Sequence, residues 1–553
     1  MINCHTYYSL RYGTLKPEEQ LVLMKELGYD SFALTDINTS TSCLNSLRIA
    51  SRHDINLVLG IDFRNGVKQQ FVALAQNNKG YQELNEFLSE HLRSGEAIPF
   101  QAPAFDHCTV IYPYHTYRTQ KLRDNEYIGI KPNELIKFRL QLPMVARDKL
   151  VAMPSFSFRH KRDFNSHRLL RAINQNTLLS KLAESEQAKP TDLYQSKKEL
   201  QAAYSDFPYL LKNSDRLLAQ CSVEFEFNDE KEHKNQKTYT GSEAKDYQLI
   251  QKLCREGLRY RYYKPEQKIR ARLEKELEII KQKGFISYFL INWDITSYAR
   301  EKGYFYVGRG SGANSIVAYL LRITDVDPID LDLYFERFIN LYRRNPPDFD
   351  LDFSWKDRAD VTDYIFNRFP HCALLCTYNT FQYRAVVREL GKVFGLPKEE
   401  IDKLSSGKFN PRRLDQFSKL VLRYCSYIQG FPSHLSVHAG GIVISEKPLQ
   451  SYIATFLPPK GFPTTQFDMV VAEDIGLYKF DILGQRGLGK IKDTVEIVKE
   501  NYPDRAPIDI HDIKRFKEDE KVKSILRNGK AMGCFYVESP AMRMLLKKLR
   551  VDH

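Results

Sequence analysis

The chain has 553 residues, with 82 Lys and Arg against 69 Asp and Glu, a net charge of +13 and 12% aromatic residues. That length gives ample capacity for hydrophobic cores and room for three or four domains, which excludes a mini-protein, and the basic surplus favours polyanionic partners such as nucleic acid. Nine cysteines scattered from Cys4 to Cys534 do not suggest a disulfide framework and fit a reducing, cytoplasmic compartment, while the lack of a charged-then-apolar leader and of a run of about eighteen apolar residues predicts no export and no membrane partner.

Residues 1–228 alternate short apolar runs with helical segments: a helix over Glu18 to Leu27, a strand over Ser31–Leu34, another from Asn56 to Gly60, and a closing helix from Pro190 to Leu200. That rhythm predicts an α/β domain of repeated strand and helix units. The charged stretch from Asn228 to Asn235 has no apolar periodicity and marks a boundary. Beyond it, Leu249, Ile250, Leu253 and Leu258, then Leu273, Leu277 and Ile280, recur at helical intervals.

The spacing next predicts a strand over Tyr304–Val307, a turn over Gly308-Arg309-Gly310-Ser311-Gly312 and a helix from Ala313 to Ile323. A glycine turn opening a helix presents backbone N–H groups to an anion, and Arg309 adds a fixed positive charge. The same turn is also what any strand-to-helix connection looks like. No Walker A loop is present, but Gly308, Gly310 and Ala313 satisfy G-x-G-x-x-A, so a dinucleotide site stands as a rival. The run Phe335-Glu336-Arg337-Phe338, followed by Arg343 and Arg344, reads either as charge balance or as a triphosphate clamp.

In Pro347-Asp348-Phe349-Asp350-Leu351-Asp352-Phe353 the alternation is strict, so a β-strand places Asp348, Asp350 and Asp352 on one face and three apolar side chains on the other. Three crowded carboxylates call for a cation among them, although a solvated acidic edge strand has the same pattern. A calcium loop would need Gly and Glu where Phe353 and Ala359 stand. Thr380 to Leu420 is helical and rich in Lys and Arg, a phosphate-tracking insertion or a solvated face. Cys372 and Cys376 read as buried thiols rather than half of a zinc site. Strands return at Gly440–Ile444 and Leu477–Leu483; in the latter Lys479 and Asp481 share a face, as a salt bridge or as a second acidic strand of a metal site. Carboxylates on two strands can hold two Mg²⁺ ions about 3.5–4 Å apart and support nucleotidyl transfer.

The runs Gly308-Arg-Gly-Ser-Gly, Phe335-Glu-Arg-Phe, Pro347-Asp-Phe-Asp-Leu-Asp-Phe, His438-Ala-Gly-Gly and Lys479-Phe-Asp-Ile-Leu-Gly occur in the order found in the bacterial DNA polymerase III alpha subunit, the family-C replicative polymerases. The resemblance covers the whole chain, taken as the N-terminal portion of a longer polymerase. It implies an α/β multidomain protein: a PHP-type distorted β/α barrel over 1–228, a nucleotidyltransferase-like palm over 229–379 and 438–490, a helical thumb inserted at 380–437, and a truncated start of the fingers over 491–553.

By the same resemblance Asp348, Asp350 and Asp481 bind catalytic Mg²⁺, and Gly310, Ser311, Arg337 and Lys479 lie near the triphosphate. The implied function is DNA-directed synthesis on primer-template DNA with dNTP substrates, alongside other replisome subunits, this chain alone being weak or inactive. The family's PHP metal ligands are depleted: Asn3-Cys4-His5 keeps one histidine, Thr35-Asp36-Ile37 and Gly60-Ile61-Asp62 depart from the pattern, and Pro154-Ser155-Phe156-Ser157 offers no usual ligand. A structural, metal-free N-terminal domain is therefore expected. A non-catalytic DNA-binding scaffold and a PHP phosphoesterase are the alternatives.

Overall fold

The computed structural model describes residues 1–117, 121–141, 143, 145–227, 232–337, 345–534 and 536–551. Among them no helix is long and apolar enough to cross a membrane. The chain begins β1 (Asn3–Cys4), α1 (Pro17–Glu26), β2 (Ser31–Leu34), α2 (Cys43–Ala50), β3 (Asn56–Asn65), β4 (Lys68–Ala75), α3 (Asn78–Ser94), β5 (Cys108–Pro113) and β6 (Glu126–Ile130). It continues through α4 (Leu135–Leu140), β7 (Leu150–Ala152), β8 (Ser155–Phe156), α5 (Lys161–Asn174), α6 (Lys197–Ala203), α7 (Pro208–Ala219), α8 (Glu243–Arg261), α9 (Gln267–Gln282) and α10 (Ile286–Glu301). Next come β9 (Tyr306–Arg309), α11 (Ile316–Leu320), β10 (Asp350–Ser354), α12 (Arg358–Arg368), β11 (Cys372–Thr380), α13 (Tyr383–Phe394), α14 (Lys398–Ser405), α15 (Gln416–Ile428) and β12 (Pro432–Ile444). The remaining elements are β13 (Thr455–Phe456), β14 (Thr464–Asp468), α16 (Met469–Asp474), β15 (Lys479–Gln485), α17 (Arg486–Asn501) and helices over Ile513–Glu518, Glu520–Arg527 and Pro540–Leu549.

The chain divides into two compact units, one of Met1–His233, Ala373–His438 and Lys447–Leu477, the other of Lys234–Cys372, Ala439–Glu446 and Tyr478–His553. In the first, eight strands follow the order β7-β6-β5-β4-β3-β2-β1-β8. β7 and β8 lie at opposite ends of that order, yet only Met153 and Pro154 separate them. Such a link spans about 10 Å, whereas seven strand spacings laid flat would be about 33 Å. The sheet must therefore roll round into a barrel left open between β7 and β8. Ile2, Ala33, Val58, Val72, Leu74, Ile111, Val151 and Met153 pack against Leu217 and Leu218 of α7. The β3–β4 and β4–β5 pairs run antiparallel within an otherwise parallel sheet, which is the distortion in the barrel.

The helix expected over Pro190–Leu200 forms only from Lys197 onward. Ser196 and Glu199 close a capping box there, and the segment before it is held extended by the Phe158–Leu193 bridge and by Tyr194 N–H donating to the Phe158 carbonyl at 2.9 Å. A capped start at Ser196 outweighs the helix propensity upstream. In the same unit α5 gives Leu169, Leu170 and Ile173 to a cluster with Val386, Val387 and Leu390 of α13 and Val421, Cys425 and Ile428 of α15. Those apolar positions recur at helical spacing.

His167 of α5 is fully buried, with Nδ1 2.7 Å from the Tyr12 carbonyl and Nε2 accepting the Ala188 N–H at 2.9 Å. These partners fix a neutral tautomer, and burial pushes the imidazole down to about 3. A folded-state value below the unfolded one means that stability is intact above about pH 6.5 and falls as the pH drops toward 3. We expect a loss of about 2 kcal/mol between pH 7 and pH 5 from this group. Urea unfolding at both pH values checks it, and His167→Gln should remove that part of the slope.

In the second unit β10 lies between β15, parallel to it, and β9, antiparallel. Gly441–Val443 of β12 pair antiparallel with β15. Phe349, Leu351, Phe353, Phe480 and Ile482 are all buried, as the period-two pattern predicts. α10 covers them, with Phe289 edge-on to Phe349 at 5.2 Å and Tyr288 4.6 Å from the Phe480 ring. Cys372 and Cys376 are buried in β11, and burial pushes both thiols up to about 12. Burial keeps both thiols neutral.

Candidate active site

The carboxylate strand starts later than its sequence pattern suggests: β10 begins at Asp350, not at Pro347. β9 is likewise displaced, running Tyr306–Arg309 where Tyr304–Val307 was expected, because Gly308 pairs with Leu351 and Arg309 with Asp350. Beyond Arg309 the chain turns, and the turn replaces the ladder as the partner of Asp348. The Asp348 N–H donates to Ser311 Oγ at 3.0 Å, and its carbonyl accepts the Gly312 N–H at 3.0 Å. Gly310 has a φ of +93°, and a Cβ there would stand 2.5 Å from the Asp348 carbonyl oxygen. Only glycine tolerates both demands.

The helix expected from Ala313 to Ile323 is also shorter. A 3₁₀ turn over Ser311–Asn314 comes first, Ser315 then accepts the Ala318 N–H as an N-cap, and α11 covers only Ile316–Leu320. A Ser that caps one turn after another breaks the run. The turn is thus braced by the Gly312 amide and the Ser311 hydroxyl against Asp348, just ahead of the acidic strand, and no long helix dipole stands behind it.

Register brings the two acidic strands together. Asp350 lies directly beside Asp481 across the parallel β10–β15 pair, a backbone separation of about 4.8 Å. Burial, with the Asp481 charge adding to it against the pull of Arg309, holds the Asp350 carboxyl above the usual range. Lys479 Nζ donates to Asp481 Oδ2. Burial alone would lower the Lys479 ammonium, but Asp481, Asp348 and Asp350 together raise it. Asp348 itself is exposed, ahead of the strand.

Asp352 behaves differently from its neighbours. It is fully buried, and its carboxylate receives Arg309 Nε at 2.8 Å, Arg309 Nη2 at 3.3 Å, Gln485 Nε2 at 3.3 Å and the Tyr536 hydroxyl at 2.7 Å. Arg309 Nη1 also donates to Asp350 Oδ2 at 2.7 Å. Arg309, read from sequence as a charge aimed at an anion, instead ties the two carboxylates together. Its antiparallel partnership with Asp350 could not be read from the chain. Gln485 could have been found, since it follows Asp481 at twice the strand period, but Tyr536 gives no local signal.

Gly310 and Ser311 lie in the turn that holds Asp348, and Lys479 and Asp481 at the start of β15. Arg337 belongs to the 3₁₀ turn Phe335–Arg337; its side chain and residues 338–344, including Arg343 and Arg344, lie outside the described residues. Among the described residues no group of three or more His, Cys, Asp or Glu surrounds a point that could hold a metal; Arg309 and Lys479 neutralise the carboxylates instead. The donor set fits a hard divalent cation, because it is made of oxygen alone and Asp481 Oδ1, though buried, has no hydrogen-bond partner among the described residues.

At the N-terminal barrel the surviving polar residues bond to one another. His5 Nε2 is 3.0 Å from Asp62 Oδ2, and the same oxygen accepts Arg64 Nε at 3.0 Å, Arg64 Nη2 at 2.6 Å and Gln69 Nε2 at 2.9 Å. Asp36 accepts the Thr6 N–H and hydroxyl, both at 2.6 Å, and the Ser9 hydroxyl at 2.7 Å. Asn3 Nδ2 donates to Ser155 Oγ at 3.1 Å, and Ser157 Oγ lies 2.9 Å from His5 Nδ1.

Comparison with known proteins places both sites in one context. Family profiles match the PHP domain over residues 2–124, the bacterial DNA polymerase III alpha NTPase domain over 248–484, and the bacterial DNA polymerase III alpha subunit finger domain over 487–553. The chain is 30% identical to DNA polymerase III subunit alpha of Bacillus subtilis (strain 168) over 99% of its own length and 53% of the relative. With the same subunit of Staphylococcus aureus (strain COL) the figures are 30%, 100% and 53%. An error-prone DNA polymerase of Symbiobacterium thermophilum is 32% identical over 73% of this chain and 38% of that protein. The chain spans about half the length of the alpha subunits it matches. With PHP, NTPase and finger segments in succession and the acidic strands paired inside the NTPase segment, the chain belongs to the bacterial DNA polymerase III alpha subunit family.

Proposed function

We propose that this protein carries the nucleotidyl-transfer centre of a replicative DNA polymerase, adding dNMP to a primer 3′ end on a DNA template. The observation that supports it most is the register of Asp350 beside Asp481, with Lys479 on one of them and the glycine turn bound to Asp348. Asp348, Asp350 and Asp481 would hold Mg²⁺. When bound, the metal supplies Lewis-acid activation of the primer hydroxyl and neutralises charge on the leaving pyrophosphate. Lys479, Gly310, Ser311 and Arg337 bind and orient the triphosphate, and Arg309 exchanges its hold on Asp350 for it while Asp352 keeps the guanidinium in place.

The same reading assigns 1–228 to a structural PHP domain without a catalytic metal cluster, 229–379 and 438–490 to the palm, 380–437 to the thumb and 491–553 to the start of the fingers. It places the protein in the cytoplasm with other replisome subunits.

Primer extension by the full-length protein on a labelled primer–template with Mg²⁺ and four dNTPs tests it: Asp348→Ala and Asp481→Ala should each lose incorporation, and activity retained in either refutes the assignment. A second reading, a DNA-binding scaffold, is favoured by Arg309, Lys479 and Tyr536 lying on the carboxylates. It predicts DNA binding that weakens steeply with salt and no incorporation.

A further inference from the structure

Glu276 is fully buried on α9. One carboxylate oxygen accepts Arg272 Nε at 2.6 Å; the other accepts the Ser315 hydroxyl at 2.7 Å and lies 3.5 Å from the Val317 N–H. Ser315 is the residue that ends the glycine turn and caps α11, with its hydroxyl oxygen accepting the Ala318 N–H at 3.2 Å. The carboxylate therefore holds the junction where the turn becomes a helix. A buried charge is retained only when every partner is in place.

The same face of α9 grips the other proposed phosphate element. Arg272 Nη2 donates to the Leu333 carbonyl at 3.0 Å, its guanidinium lies 5.7 Å from the Phe335 ring, and Lys275 pairs with Glu336. Residues 333–336 lead directly into Arg337. One turn of α9 thus spaces the glycine turn against the Arg337 turn, and Glu276 is the member that reaches the glycine turn.

We propose that Glu276 is a positioning residue for the triphosphate-binding turn, setting the placement of Gly310 and Ser311 through Ser315 and Arg272. This rests on the polymerase reading. Burial, opposed by Arg272 and Ser315, pushes the Glu276 carboxyl up to about 7. Among the described residues, the charged and titratable groups facing it are Arg272 on its own helix and the buried Cys254 thiol of α8, itself raised by burial and then by Glu276. α11 offers only Ser315 and the Val317 amide. An ionised Glu276 accepts from Arg272 and Ser315 at once, whereas a protonated one must give up an acceptor site, so the turn is held fully only above neutrality.

The test is titration of the protein with a fluorescent deoxynucleoside triphosphate and Mg²⁺ at pH 6, 7 and 8, for wild type, Glu276→Gln and Lys479→Ala. The ratio of the Glu276→Gln dissociation constant to the wild-type one should be near one at pH 6 and rise to about tenfold at pH 8, the worth of a charge-assisted hydrogen bond. Taking the ratio cancels the titration of the nucleotide itself. Equal thermal unfolding of the two proteins shows that the variant is folded, and Glu276→Asp, with its shorter reach, should weaken binding at every pH. A ratio that does not change with pH overturns the proposal. Absence of wild-type binding, or binding that Lys479→Ala leaves intact, would instead count against the polymerase reading on which it rests.

Discussion

Asparagine in place of Asp350 is expected to abolish nucleotide incorporation by the full-length protein while leaving the fold as stable as before, or more so. The Asp350 carboxyl is held above its usual range by burial and by Asp481 beside it, so its ionised form is disfavoured in the folded state. A raised folded-state value means that this group's contribution to stability is complete below its unfolded value and is lost as pH rises through the folded one. At neutral pH the charge is therefore a cost, which the amide removes while still accepting from Arg309. For catalysis the effect is reversed: an amide is a poor ligand for a hard cation, and losing several kcal/mol of charge stabilisation slows the reaction by at least about a thousandfold. Thermal melts with and without millimolar Mg²⁺ give a second reading, since a cation bound only by the native state raises Tm. Wild type should shift and Asp350→Asn should not. A variant that extends primers at more than a tenth of the wild-type rate, or that keeps the full Mg²⁺ shift, removes Asp350 from the site.

What the chain reveals by itself is the alternation of single strands. Phe349, Leu351 and Phe353 are buried as their spacing requires, because a period of two depends only on neighbouring residues. The limits of those strands were displaced by two or three residues, since a ladder stops where its partner stops: β10 starts opposite Arg309 because β9 turns away at Gly310. Pairing between distant segments was legible only through the family resemblance; nothing local in Lys479-Phe480-Asp481 says that Asp481 meets Asp350 rather than Asp352. Glu276 and Tyr536 were missed as neighbours of the proposed site, and Arg309 was read as an anion contact rather than as the partner of Asp350 and Asp352, for the same reason. Each acts through contacts 39 to 184 residues away in sequence, and an isolated Glu in a helix looks like any solvated one.

The N-terminal barrel yields the other large expected effect, because a guanidinium is paired there with a buried carboxylate. Arg64→Met should destabilise the first unit by about 3–5 kcal/mol, the range for breaking a buried pair and leaving one charge behind. Asp62 is fully buried; its Oδ1 has no hydrogen-bond partner among the described residues, and Oδ2 receives the donors, two of them from Arg64. Burial pulls the Asp62 carboxyl upward, but Arg64 and His5 hold it well below the usual carboxylate range. Met keeps the aliphatic stem against Tyr12, whose ring lies 4.9 Å from the guanidinium, so the loss reports charge rather than volume. The pH dependence separates this from a packing defect. In wild type the depressed value gives stability that is present above about pH 4 and lost below it. Without Arg64 the burial effect prevails, Asp62 titrates above its unfolded value, and the deficit of the variant narrows as the pH falls from 7 toward 5. Asp62→Asn combined with Arg64→Met should recover much of the loss, since no orphaned charge remains. Urea unfolding that finds Arg64→Met within 1 kcal/mol of wild type, on the order of a surface substitution, would show that the barrel centre does not depend on this pair.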